Sequence, residues 1–173
     1  MSKIIKTDQE WKSLLTEDEY YVTRKKGTEP PFSGKNFEII NGGIFKCKCC
    51  GNELFNSSTK YDSYCGWPSF FEQISPEAIK TETDRSHGMV RIEIMCAKCD
   101  AHLGHVFDDG PEPTGKRYCV NSLSINYEEF ESYFLYTPIF LNRSCSHAYV
   151  CSILFCNRSD DRKRMEYFLR SIN

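Results

Sequence analysis

The 173-residue chain lacks an excess of charge of either sign: 22 Lys and Arg stand against 24 Asp and Glu, a formal net charge of −2. Without a broad positive field to meet a phosphate backbone or an anionic lipid surface, nucleic acid is not an expected partner. The opening run MSKIIKTDQEWKS lacks the apolar segment of a secretory signal, so the expected location is cytoplasmic. A long uninterrupted hydrophobic run is missing as well. The most apolar stretch, residues 133–156, is broken by Pro138, Arg143 and His147, whereas a membrane span needs roughly 20 mostly apolar residues. No membrane partner is expected. Repeats and low-complexity tracts are absent, and the His102-Leu-Gly-His105 sequence lacks the intervening glutamate of a metalloprotease helix, which leaves hydrolytic zinc a weak alternative.

What the chain has in quantity is cysteine, ten in all, within a composition of 40% hydrophobic and 14% aromatic residues. That composition belongs to a soluble globular protein, and the length allows one ordinary domain plus an appendage. A dense disulfide framework conflicts with the missing signal and a reducing cytosol, so the cysteines point to metal binding or redox chemistry.

Thr7 with Glu10 and Thr16 with Glu19 match the capping-box pattern, which predicts two short N-terminal helices, the first carrying Trp11, Leu14 and Leu15 at helical spacing. The second is expected to close at Arg24, Lys25, Lys26 and Gly27, the glycine taking the left-handed position. Phe37 and Ile39, the turn Asn41-Gly42-Gly43, and Ile44, Phe45 and Cys47 read as a hairpin. Val90, Ile92 and Ile94 alternate with Arg91 and Glu93 as in a half-buried strand, and residues 101–107 and 116–125 are further strand candidates. No helical crossover separates these segments, which favours an antiparallel, mainly β domain. Asp160, Asp161 and Arg170 suit a short helix near the end of the chain.

Two C-x-x-C pairs, Cys47 with Cys50 and Cys96 with Cys99, make the tetrahedral sulfur set of a structural zinc site. Two unrelated cysteine pairs or redox motifs are the alternative. A site closed by four thiolates has no open position for water and serves as a staple rather than a Lewis acid. Cys49, next to Cys50, is left without a role.

Cys65 and Cys119 stand apart from these pairs. On a strand over 116–125, Arg117, Cys119 and Asn121 share a face, where a guanidinium favours a thiolate and an amide can hydrogen-bond a bound oxygen. Cys119 is then either a nucleophile or a small core cysteine. Cys65, beside Gly66 and Pro68, fits a mobile loop and the part of a resolving thiol. Trp67 either packs in the core or forms an apolar wall near the nucleophile. His105 and Phe107 share one strand face with His102 on the other, unless Gly104 introduces a bulge. A non-catalytic zinc domain with an aromatic cage is the competing interpretation of the same residues.

The motifs GTEPPFSGK, STKYDSYCGWPSF, DRSHGMVRIE and CAKCDAHLGHVFDDGPEPTGKRYCVNS, in that order with the first C-x-x-C, resemble the methionine-R-sulfoxide reductase B family over residues 10–127. The resemblance implies two antiparallel sheets, one structural zinc per chain held by Cys47, Cys50, Cys96 and Cys99, and reduction of the R epimer of methionine sulfoxide, free or in proteins. It implies thioredoxin as reductant and needs neither flavin nor nicotinamide; a monomer is expected. Carried onto matching positions, Cys119 is the nucleophile, Cys65 the resolving cysteine, and Trp67, His105, Phe107 and Asn121 belong to the substrate site, with His102 and Arg117 less closely matched. Cys119 would pass through a sulfenic acid to a Cys65–Cys119 disulfide, with His105 protonating the departing oxygen. Tyr64 stands where the family often has glycine. Residues 1–127 are expected to form the reductase domain, and 128–173, with Cys145, Cys151 and Cys156, an extension of no assigned role.

Overall fold

Both capping boxes start helices in the computed structural model, which describes residues 2–34 and 42–130. Helix α1, Asp8–Leu14, and helix α2, Glu17–Lys25, each begin with a threonine hydroxyl accepting from the glutamate N–H three residues on. The glutamate carboxylate accepts in return from the threonine N–H, at 2.7 Å for Thr7 and 3.0 Å for Thr16. The left-handed residue closing α2 is Lys26, at φ 57°, not Gly27. Gly27 answers a different need, since a Cβ there would lie 2.3 Å from the Tyr21 ring. Trp11 is buried beneath the Arg24 guanidinium, 4.8 Å away, whereas Leu14 at the end of α1 is exposed.

Among the described residues nine strands follow. β1 (Gly43–Cys47), β2 (Glu53–Asn56) and β9 (Ile125–Glu129) form one sheet in the order β2-β1-β9. A six-stranded sheet comprises β3 (Lys60–Tyr61), β4 (Ser69–Phe70), β5 (Ile79–Asp84), β6 (Arg91–Cys96), β7 (His102–Phe107) and β8 (Arg117–Val120), ordered β3-β4-β8-β7-β6-β5. Every pairing is antiparallel, so the expected mainly β, two-sheet architecture is the observed one. Stacked Phe55 and Phe70, with ring centroids 4.2 Å apart, and Phe45, edge-on to Phe70 at 4.9 Å, join residues of both sheets in the core with Leu54, Ile94, Leu103 and Val120.

Beyond the Lys26 cap, the structure differs from the sequence expectation in two places, and a third expectation falls partly outside the described residues. The first arm of the hairpin, at Phe37 and Ile39, lies outside the described residues, and Gly43–Cys47 pairs with β2 and β9. The strand expected over 116–125 ends at Val120. There a 3-10 turn, Ser122–Ser124, carries the chain into the other sheet, because the Glu29 carboxylate binds the Ser122 N–H, Ser122 hydroxyl and Leu123 N–H at 2.6–3.2 Å. On β6 the alternation fails: Glu93 is 4% exposed and Ile92 40%. Glu93 is tolerated inside because its carboxylate binds His102 Nδ1 at 2.7 Å and Lys26 Nζ at 2.8 Å. Among the described residues, no helix is long and apolar enough to cross a membrane. The apolar stretch 133–156, the expected helix near Asp160 and Arg170, and Cys145, Cys151 and Cys156 lie outside them.

Candidate active site and metal centre

The two C-x-x-C motifs fold into turns of one design. Cys47 ends β1 and Cys96 ends β6, and in each turn the residue four positions on donates its N–H to the first cysteine's carbonyl: Gly51 to Cys47 at 2.8 Å, Asp100 to Cys96 at 2.9 Å. Both donors have left-handed φ, 70° and 56°. The first cysteine's N–H goes to the carbonyl five residues on, of Asn52 and Ala101. The turns face each other, and the four sulfurs of Cys47, Cys50, Cys96 and Cys99 lie within 4.8 Å of one another. Cys47 to Cys99 is 3.7 Å and Cys50 to Cys96 is 3.6 Å. A tetrahedron with metal–sulfur bonds of about 2.3 Å has sulfur–sulfur edges of about 3.8 Å, so the donor set fits a four-coordinate ion. β1 and β6 belong to different sheets, and an ion here ties them together. Cys49 is outside the cluster of four.

The second pair of thiols lies in the six-stranded sheet. Cys119 is on β8, directly opposite His105 of β7 and Ser69 of β4. Cys65 sits in the connection from β3 to β4, its Sγ 3.7 Å from that of Cys119. The connection is tied at several points: Tyr64 N–H to the Asp62 carboxylate at 2.9 Å, Phe32 N–H to the Gly66 carbonyl at 2.8 Å, and Trp67 Nε1 to the Glu29 carbonyl at 3.0 Å. These bonds fix the position of the loop in this structure. Burial, then the adjacent Cys65, push the Cys119 thiol up to about 12. Arg117 opposes this only weakly, since its guanidinium is held by both Asp109 oxygens at 2.8 Å and lies 4.4 Å over the Phe107 ring. Burial also acts to raise Cys65, but hydrogen bonds from Ser63, Ser69 and their neighbours leave it below the ordinary thiol value.

A cavity of about 110 Å³ opens onto Cys119. Pockets for drug-sized ligands run to roughly 300–1,000 Å³, so this one is of a size for the end of a side chain. Of the residues expected from the sequence, Trp67, His105, Phe107, Cys119 and Asn121 line it; Thr28, Arg91, Gly104 and Val120 complete it. A larger cleft, about 1010 Å³ and bordered by Glu29 and Tyr127, is lined by no cysteine or histidine.

Gly104 explains how β7 comes so close to Cys119. Its φ is +152°, and a Cβ would lie 2.0 Å from the Cys119 carbonyl oxygen. The ladder between β6 and β7 slips at this point, Ile94 facing Gly104 and Met95 facing His102, so Leu103 is the extra residue of a bulge. The bulge sets the His102 and His105 rings edge to face, 5.7 Å apart. His102 nonetheless lies behind the cavity, buried against Glu93. His105 Nε2 donates to Asp84 Oδ2 at 2.9 Å, and Arg91 donates to the same oxygen at 2.8 Å. Burial, opposed by Asp84 and reinforced by Arg91, lowers His105 below the ordinary histidine value. Asn121 lies beyond the end of β8. Its Oδ1 accepts from the Glu29 N–H at 3.1 Å and its Nδ2 donates to the Leu103 carbonyl at 3.1 Å, leaving a second N–H for the cavity.

Sequence reasoning passed over Thr28, Glu29, Asp84, Arg91, Ser63 and Ser69. All six lie inside the quoted motifs; Glu29 and Asp84 meet Ser122 and His105 from far along the chain, whereas Ser63, Ser69 and Arg91 also bond residues two to seven positions away. Arg91, an outward member of the alternating strand pattern, carries one signal in the sequence: a cation within a motif that also supplies Asp84.

Residues 15–129 match the family model described as the SelR domain. The chain is 58% identical over 127 residues to the peptide methionine sulfoxide reductase MsrB of Hahella chejuensis, covering 73% of this chain and 91% of that protein. It is 56% identical over 131 residues to that of Acinetobacter baylyi, covering 76% and 94%. With the cysteine cluster, the thiol pair and the cavity all inside the matched span, the chain belongs to the methionine-R-sulfoxide reductase B family.

Proposed function

We propose that this protein reduces the R epimer of methionine sulfoxide to methionine through a Cys119 sulfenic acid and a Cys65–Cys119 disulfide that thioredoxin reopens. Family membership supports the coarse activity, methionine sulfoxide reduction. The observation that carries the finer reading is the 3.7 Å separation of the two sulfurs at the mouth of a side-chain-sized cavity.

In this reading the substrate's methyl group lies against Trp67 and Phe107, and its oxygen points toward His105 and Asn121. With Cys119 on a third side, the main chain of the substrate leaves toward solvent. Exchanging methyl and oxygen, as the other epimer requires, puts the polar group on the apolar wall. The Cys119 sulfur attacks the sulfoxide sulfur and the oxygen passes to Cys119, two electrons moving to the methionine sulfur. His105, when protonated, supplies the proton to that oxygen. Methionine leaves. Cys65 then attacks the oxidised sulfur, a sulfur–sulfur bond forms, and water departs. The dithiol of thioredoxin reduces the disulfide by two exchange steps. Zinc at the four-cysteine cluster has a structural part only.

The test is a single-turnover assay with each epimer, followed by steady state with thioredoxin. Cys119→Ser is expected to release no methionine from either epimer, because a serine hydroxyl cannot replace the sulfur that takes up the oxygen. Cys65→Ser is expected to release one methionine per chain from the R epimer and to lose turnover with thioredoxin. Methionine formation by Cys119→Ser, or equal use of the S epimer, overturns this assignment.

A further inference from the structure

Ser63 and Ser69 take no part in the chemistry described above, yet they surround the Cys65 sulfur. Ser63 Oγ donates to Cys65 Sγ at 3.0 Å, Ser69 Oγ lies 3.5 Å from that sulfur, and the two hydroxyl oxygens are 2.6 Å apart. Ser69 is buried on β4, across the ladder from Cys119. A hydroxyl carries one proton, so with Ser63 donating to Cys65 the 2.6 Å contact uses the Ser69 proton, for which the Trp67 carbonyl at 3.3 Å from Ser69 Oγ competes; that carbonyl is also 3.5 Å from Cys65 Sγ and can accept from the thiol but not from the thiolate.

We propose that Ser63, backed by Ser69, is a positioning residue for the second half of the cycle, its hydroxyl holding Cys65 as the thiolate that attacks oxidised Cys119. The inference rests on the assignment of Cys119 as nucleophile and Cys65 as resolving thiol. In the reduced protein, Cys119 can also donate to Cys65 across the 3.7 Å gap. Once Cys119 is a sulfenic acid that thiol proton is gone, and the serine hydroxyl remains as donor. The titratable and charged groups facing Cys65 are Cys119 and Arg117 of β8 and Tyr61 of β3, with Arg117 already paired to Asp109. Among the described residues none of these but Cys119 makes a hydrogen bond to the Cys65 sulfur. The step balances as follows. Cys65 gives up its proton and forms the sulfur–sulfur bond, the sulfur–oxygen bond of Cys119 breaks, and the oxygen leaves with the returned proton as water.

The thiolate is the form of Cys65 that the hydroxyl stabilises, which is consistent with Cys65 lying below and Cys119 above the ordinary thiol value. Removing one hydrogen bond to a charged sulfur raises its titration midpoint by about one pH unit. A more basic thiolate is also more nucleophilic, by about threefold per unit of basicity. The loss of Ser63 therefore has a double signature that a misplaced loop lacks: the inflection moves up, and the plateau above it rises.

The experiment measures iodoacetamide alkylation of Cys65 against pH, read at its peptide by mass spectrometry, in full-length protein on a Cys119→Ala background that removes the competing thiol. Ser63→Ala is expected to shift the inflection up by about one unit and raise the plateau about threefold, and Ser63→Thr to restore both. With Cys119 present, single-turnover disulfide formation from N-acetyl-methionine-R-sulfoxide is expected to shift its pH inflection likewise, while methionine release keeps its rate. An unchanged inflection in Ser63→Ala, or a lowered plateau, overturns the proposal. Absent methionine release from the unmutated protein overturns the catalytic assignment instead, and the alkylation profile still decides whether the hydroxyl holds the thiolate.

Discussion

Asp84 is one residue through which several side chains of the site communicate. Its carboxylate caps the Ser86 N–H at 2.8 Å and receives both His105 and Arg91 on one oxygen. The hydrogen bonds of Ser86, then that of His105, hold it well below the usual carboxylate range, so it is ionised wherever the protein is folded and active. A charge in that place favours the imidazolium form of His105 against the burial that opposes it. If His105 must be protonated to release methionine, the first step is fast below the His105 midpoint and slows as pH rises through it. Asp84→Asn retains an acceptor for the Ser86 cap and removes the charge. The falling limb of methionine release, followed in single turnover between about pH 5 and pH 8, is expected to move down by about one unit. An unmoved limb assigns the proton to another donor.

β7 and β8 bring His105 and Cys119 together. β8 offers Cys119 in regular register, and β7 opposes it with His105, but the approach depends on the missing side chain at Gly104. Gly104→Ala puts a methyl against the Cys119 carbonyl at a backbone angle that L-residues rarely adopt. It is expected to destabilise the fold by about 2 kcal/mol or more, measured as a lowered denaturant midpoint at constant slope. The strand that must shift carries Cys119. Oxidant-induced closure of the Cys65–Cys119 disulfide is therefore expected to slow in the same variant, even under conditions where it remains folded. The Glu29 carboxylate acts at the same level: by gathering the N–H groups of Ser122 and Leu123 it ends β8 one residue before Asn121 and turns the chain toward β9. Residues from the GTEPPFSGK segment are thus joined to the end of the strand that carries Cys119.

For the whole molecule, the cysteine cluster closes a loop between the two sheets, β1 in one and β6 in the other. The Arg24 guanidinium, bonded to the Cys99 carbonyl at 2.9 Å, adds α2 to the same junction. Binding of zinc by such a set is coupled to folding, so Cys96→Ser or removal of the metal by a chelator under denaturing conditions is expected to cost on the order of several kcal/mol. Thermal melts should fall together with zinc content measured by elemental analysis, whereas Cys49→Ser should retain its zinc. Full stability in a zinc-free preparation counts against a structural ion. The proposed catalysis would depend on this junction indirectly, through the stability of the sheet that carries Cys119.

Much of this was legible along the chain. Each capping box spans four residues and acts locally, so α1 and α2 begin where their threonines say. The paired C-x-x-C turns are also local, each closed by its own backbone hydrogen bonds, and the family motifs marked Cys65, Trp67, His105 and Cys119 as candidates. What the linear pattern left open depended on groups far apart in sequence. Glu93 reads as the solvent face of β6 and is buried, because His102 and Lys26 come from other elements to satisfy it. Arg117 reads as an activator of Cys119 and is held away by Asp109, eight residues earlier across a turn. The chain itself determined local secondary structure, the metal-binding turns and the identity of the thiols, since those follow from interactions between near neighbours. Tertiary structure alone decided which charges are paired, which histidine faces the cavity and how close the two sulfurs lie, because burial and pairing are set by side chains that only folding makes adjacent.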